Sequence, residues 1–187
     1  MFKKIALVIV VLVAAVLVYA ATRPGTLHVQ RVASVNAPPE KIFPLVNDFH
    51  TWSTWSSYEK IDPAMKRTYS GAANGKGAVY EWEGNSMVGQ GRMEITDTSH
   101  PSRVTIKLDF VKPLEGHNVA QFTMVPEGDE GGATTVTWTM DGPTPYVGKL
   151  IGVFVNMDTM IGKEFETGLA NLKAIAETPS HAQAGRR

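Results

Sequence analysis

The sequence predicts an α+β fold, a curved antiparallel sheet wrapped along one long C-terminal helix, with a membrane-spanning segment in front. Three observations predict it. Residues Ile5 to Ala21 read IALVIVVLVAAVLVYAA, without a charge or a glycine. Between Leu27 and Met140, apolar residues recur with period two in short runs separated by turn residues. After Gly142-Pro143-Thr144-Pro145 the period changes to 3.6 and holds to Glu177.

The apolar run comes first. As a helix, Ile5 to Ala21 extends roughly 26 Å at 1.5 Å per residue. A hydrocarbon core of about 30 Å is nearly matched, helped by Phe2, Thr22 and local thinning. Lys3 and Lys4 precede the run and only Arg23 follows closely. The positive-inside rule then puts the N-terminus in the cytoplasm and the rest outside, as a single-pass protein of the cell membrane. Val18-Tyr19-Ala20 also resembles a signal-peptidase site, so a cleaved signal is the alternative to an anchor. The run exceeds an h-region of about 7–15 residues, which favours the anchor. Residues 1–24 thus form the anchor or signal, 25–177 the folded domain and 178–187 a polar tail expected to be disordered.

Arg23-Pro24-Gly25-Thr26 is a short breaker, so the domain begins close to the lipid. Leu27 to Val35 alternates loosely as a first strand. Asn36-Ala37-Pro38-Pro39-Glu40 starts a helix from Pro39 to Asn47 that buries Ile42, Phe43, Leu45 and Val46, with Pro44 awkward inside it. Strand-like runs follow at Lys66–Ser70, Ala78–Glu83, Met87–Thr96, Val104–Phe110, Val119–Val125 and Thr134–Met140. Their short connections imply antiparallel neighbours. The final stripe runs Val147, Leu150, Ile151, Phe154, Met157, Met160, Ile161, Phe165, Leu169, Leu172, Ile175. It predicts one helix from Tyr146 to Glu177, roughly 45 Å long.

Composition excludes some functions. Lys+Arg and Asp+Glu are both 18, so nothing marks a nucleic-acid surface. There are no cysteines, which removes disulfides, thiolate chemistry and cysteine zinc sites. The five histidines (His28, His50, His100, His117, His181) lack metal-ligand spacing, and no nucleophile, metalloprotease or phosphate-loop motif occurs. The reading is therefore no catalytic residue, no metal and no cofactor. Glu81 and Glu83 share a strand face opposite Tyr80 and Trp82, which assigns them to solvent rather than to a buried acid/base pair. Arg31 and Arg92 are surface-pairing residues or carboxylate binders, and Asp158 is a polar point in the interior or the helix edge.

Four stretches carry a family resemblance: Val35-Asn36-Ala37-Pro38-Pro39-Glu40-Lys41-Ile42-Phe43, the D-x-x-x-W-x-x-W element from Asp48 to Trp55, Gly132-Ala133-Thr134-Thr135-Val136-Thr137-Trp138, and Phe165-Glu166-Thr167-Gly168-Leu169-Ala170-Asn171-Leu172-Lys173. In this order they resemble the START-related superfamily called SRPBCC, in its polyketide cyclase/dehydrase branch. The resemblance spans Leu27 to Glu177. It implies a helix-grip (birch-pollen-allergen-like) fold, with a seven-stranded sheet around the long helix and a hydrophobic cavity between them. Some relatives bind lipids or other apolar ligands, and some are cyclases.

The expected cavity lining is Trp52 and Trp55 at one end, Gly89, Gly91, Met93, Ile106, Leu108, Phe110, Trp138 and Met140 on the sheet, and Phe154, Met157, Met160 and Ile161 on the helix. Trp52 and Trp55 read as core wedges whose indole N–H groups reach loop carbonyls, as a gate, or, with Tyr58, as a membrane-interface belt. The pair Gly89 and Gly91 suggests empty volume or a bend. The methionines suggest an adaptable surface. Three functions follow: a tethered binder of a hydrophobic small molecule or lipid, a cyclase- or dehydratase-like enzyme, and a partner-binding or stress-related domain without a ligand. Nothing in the sequence fixes an oligomeric state.

Overall fold

A computed structural model describes residues 1–128 and 132–178. Apart from Thr178, the predicted tail lies outside these residues, as does His181. An apolar helix, α1 (Phe2–Thr22), leads into strand β1 (Thr26–Val35) with three residues between them. Helix α2 (Pro39–Asn47) follows, with Pro in the first turn as predicted. It continues through Pro44 and buries Ile42, Phe43 and Val46.

A 3-10 turn (Phe49–Thr51) and two short helices, α3 (Trp52–Trp55) and α4 (Tyr58–Ile61), lead to six consecutive strands. These are β2 (Lys66–Gly71), β3 (Ala78–Glu83), β4 (Gln90–Ser99), β5 (Arg103–Lys112), β6 (Gly116–Glu127) and β7 (Ala133–Pro143). All seven strands form one antiparallel sheet in the order β1-β7-β6-β5-β4-β3-β2. Strands β2 to β7 are hairpin neighbours in turn, and β1 pairs with β7, Thr26 opposite Pro143 and Val35 opposite Thr134. Register shifts between Gln90/Gly91 and between Ile95/Asp97 bend β4. The pairing places the start of β1, the end of β7, and the β3–β4 and β5–β6 turns at one end of the sheet, next to α1. We call this the anchor end.

The C-terminal stripe does not form one helix. It divides into α5 (Tyr146–Phe154) and α6 (Met157–Ala176). Val155 and Asn156 are extended, and the Asn156 side chain accepts the Thr159 backbone N–H as the N-cap of α6. Only α6 lies on the sheet, along β1 and against α2 and α3, burying Phe165, Leu169 and Leu172. Gly168 permits the close approach: a Cβ there would stand 3.1 Å from Trp138 Cζ3 and 3.6 Å from Trp55 Cζ3. Helix α5 packs on α1 instead.

Arg31 of β1 fastens the start of α6. Its guanidinium donates to Glu166 at 2.6 Å and to Asp158 at 3.0 Å. Gly162 leaves room for it, since a Cβ there would fall 1.8 Å from Arg31 Nη2. The hydrogen bond from Arg31 holds the Asp158 carboxyl below its ordinary range. A depressed carboxylate stabilises the fold above its unfolded pKa, and that stabilisation is lost as pH falls through the folded value. Asp158→Asn should therefore be less stable than the wild type by a constant gap down to about pH 4, and the gap should close below it. Denaturant melts from pH 7 to pH 2 measure this. A gap unchanged at pH 2 would show that the carboxylate charge contributes nothing.

Candidate functional site

The inner face of the sheet divides into two halves. In the half far from α1, Ile95, Val104, Ile106, Phe122 and Val136 are fully buried under α6, α2 and α3. An aromatic stack fills this half. Trp138 lies flat on Phe165, with centroids 3.8 Å apart and planes 6° apart. Phe122 stacks on the same indole at 4.6 Å. Trp52 and Trp55 meet it edge-on, at 6.4 and 5.7 Å.

Their indole nitrogens donate to the last turn of α2, Trp52 Nε1 to the Val46 carbonyl at 3.0 Å and Trp55 Nε1 to the Leu45 carbonyl at 2.8 Å. Carbonyls at a helix end have no partner within the helix. The D-x-x-x-W-x-x-W segment thus folds back to cap α2 while burying two large apolar rings. Trp138 Nε1 is buried and has no hydrogen-bond partner among the described residues.

Toward the anchor end the lining changes to Met93, Leu108 and Phe110, with Ile161 of α6 packed against the core, while Met140 lies in register with Ile106 through Ala120. Burial is less complete there. Met93 and Leu108 keep 8 and 9% exposure, against zero for Ile106 one register step away. Phe110, Met157 and Ile161 are half-buried.

The structure thus gathers most of the expected residues, with four corrections. Gly89 belongs to the β3–β4 turn, at φ +66°, and does not face inward. Gly91 faces inward, but its space is filled: a Cβ would fall 2.3 Å from Trp82 Cη2. Phe154 is 74% exposed because α5 turns away, and Met160 is 51% exposed on the outer face of α6, so both lie outside the grip. Glu81 and Glu83 are solvent-exposed, as the strand pattern predicts, and Arg92 pairs with Glu94 on the surface.

One polar cluster has no counterpart in the sequence reading. Glu59 of α4 is buried and accepts the Tyr80 hydroxyl and, at 2.7 Å, Arg67 Nε. Burial and the bond to Glu59 push the Tyr80 phenol well above its ordinary range. Burial, then Glu164, does the same to Tyr58. Both stay neutral at physiological pH, and the Tyr80 hydroxyl serves as a donor, to Glu59. Glu59 accepts from both Tyr80 and Arg67, so the cluster braces α4 against β2 and β3.

Two clefts lie elsewhere. One of about 180 Å³ is bordered by Phe49, His50 and Tyr69 beside β2, and one of about 330 Å³ by the β3–β4 turn, Lys112 and Pro113. Neither opens between the sheet and α6. Among the described residues, no group of three or more His, Cys, Asp or Glu side chains is placed to hold a metal ion.

A seven-stranded antiparallel sheet that clasps a C-terminal helix over an apolar interior defines the helix-grip class. The chain belongs to the polyketide cyclase/dehydrase and lipid transport family, whose model matches residues 26–177. Solved structures agree on the fold. A protein from Nitrosospira multiformis superposes with a TM-score of 0.58 at 17% identity, over 81% of this chain and 97% of that one. One from Chromobacterium violaceum gives 0.56 at 16%, over 83% and 100%. A major latex-like protein of Panax ginseng gives 0.56 at 14%, over 82% and 99%. No curated protein matches the chain.

Proposed function

We propose that the protein is a membrane-anchored domain that takes a hydrophobic small molecule or lipid into the anchor half of the grip. The observation that carries this reading is incomplete burial of the apolar interior. Toward the end that adjoins α1, Phe110, Met157 and Ile161 are only half-buried, and Met93 and Leu108 keep 8 and 9% exposure. Met93, Met140 and Met157 can repack around ligands of varied shape. The α1 helix is long and apolar enough to cross a bilayer, which would put this end within reach of lipid. The charge asymmetry of Lys3 and Lys4 against Arg23 orients the domain outside the cytoplasm. The family's description as lipid transport accords with the reading.

Filling the anchor half tests it. Leu108→Trp and Met140→Trp should each lose most of the binding of an NBD-labelled fatty acid by the full-length chain, while Val125→Trp, on an exposed position, should retain it. Far-ultraviolet circular dichroism checks that each variant is folded. Equal binding by all four proteins would reject the site, and no binding by the wild type would favour a second reading. That second reading is a domain without a ligand, and the closely packed stack of Trp52, Trp55, Phe122, Trp138 and Phe165 is what favours it.

A further inference from the structure

Resting on the reading of α1 as a membrane span, we propose that α5 is a second membrane element, lying in the interface with its outer face bathed in lipid. Its sequence, YVGKLIGVF, carries one charge, and none of its residues is buried. Val147, Ile151 and Phe154, spaced i, i+4 and i+7, form one stripe that is 53, 37 and 74% exposed. Monomeric soluble proteins rarely leave such a stripe to water.

Its other side is occupied by the anchor. The Tyr146 hydroxyl donates to the Leu17 carbonyl at 2.8 Å, and the Arg23 guanidinium donates to the Gly152 carbonyl at 3.1 Å. Ala20 of α1 is fully buried. The stripe on α5 is therefore continuous with the exposed apolar surface of α1, and one solvent, the bilayer, covers both.

Depth agrees with this placement. Leu17 lies five residues before the end of α1, about 7.5 Å along the axis. Interfacial helices settle about 5–10 Å into the headgroup–acyl boundary. Tyr146 has the amphipathic ring favoured at that level. Lys149 and Arg23 are long enough to keep their charges in water. Two further exposed apolar side chains, Met87 and Leu114, sit in the turns at the same end of the sheet. The occupant proposed is lipid, not protein.

The chain has no cysteine, so single cysteines can be labelled without removing others. The full-length protein would be reconstituted into phosphatidylcholine vesicles with and without brominated lipid. An NBD fluorophore would be placed at Val10→Cys in α1, Val147→Cys and Phe154→Cys in α5, and Val125→Cys on β6. Bromolipid should quench most of the emission from Val10, Val147 and Phe154, with a blue shift, and leave Val125 unchanged. Quenching at Val10 with Val147 and Phe154 behaving like Val125 overturns the inference and leaves the anchor intact. An unquenched Val10 overturns the anchor and this inference with it. Labels on α5 that neither bromolipid nor aqueous iodide can quench would mean that a protein surface covers the helix, which also overturns it.

Discussion

Replacing Trp55 with alanine should destabilise the domain by about 3–5 kcal/mol, the usual range for removing a large buried aromatic. Trp55 is fully buried. Its ring touches Trp52, Phe122 and Trp138, and its N–H caps α2 through the Leu45 carbonyl. With domain stabilities of about 5–15 kcal/mol, the loss would remove a large share of the total. Urea unfolding of the full-length protein in detergent, followed by circular dichroism, should show a lower midpoint with an unchanged slope. Trp55→Phe separates the two contributions. It keeps most of the ring and loses one of two hydrogen bonds to the Leu45 carbonyl, which still accepts the Thr51 hydroxyl at 2.8 Å, so its cost should be only about 0.5–1.5 kcal/mol, the net worth of a single hydrogen bond. A cost below about 1 kcal/mol for the alanine variant would mean that the core closes over the gap, contrary to the close packing of these rings.

Gly91→Val should be the other severe change. A Cβ at Gly91 would fall 2.3 Å from Trp82 Cη2 and 2.6 Å from the Asp109 carbonyl oxygen. The indole can rotate aside; the backbone oxygen of the paired strand cannot do so without bending the sheet. Overpacking of this kind typically costs about 1–3 kcal/mol, and more where backbone must move. Combining it with Trp82→Leu should recover part of the loss, because the two residues are in contact and their effects should not add. Strict additivity in that double-mutant cycle would show that Trp82 is not the obstacle. Complete recovery would show that the Asp109 carbonyl is not one either.

These two positions differ in how far the sequence reveals them. The tryptophans of Asp48 to Trp55 are legible as wedges because large apolar rings in a polar segment need somewhere to go. Their partners, the last carbonyls of α2, follow once α2 is seen to end at Asn47. The strand order is legible from alternation and turn residues, and β3 begins and ends where the pattern puts it. Strand β4 starts three residues later than expected, because Gly89 adopts a positive φ and Met87 goes to the turn.

The division between α5 and α6 is hidden by the apolar stripe, which keeps helical phase across Val155 and Asn156. A signal was present: Asn156 followed by Met157-Asp158-Thr159 is an N-cap with an acidic first turn. Glu59 gave no signal. Its burial depends on Arg67 and Tyr80, eight and 21 residues away, meeting on one side of β2 and β3. The inner face of the grip was readable residue by residue. How it is filled was not, because that depends on which ring lies over which glycine.

The pairing of the first strand with the last has a consequence for biogenesis. Thr26 finds its neighbour only at Pro143, and α6, which rests on β1, comes later still. A nascent chain emerging from its N-terminus must carry β1 without a partner while the hairpins from β2 to β6 assemble behind it. The edge that β1 covers belongs to β7, so β1 stays unpaired until Ala133–Pro143 has been made. A chaperone that shields unpaired strands would find its substrate in that interval.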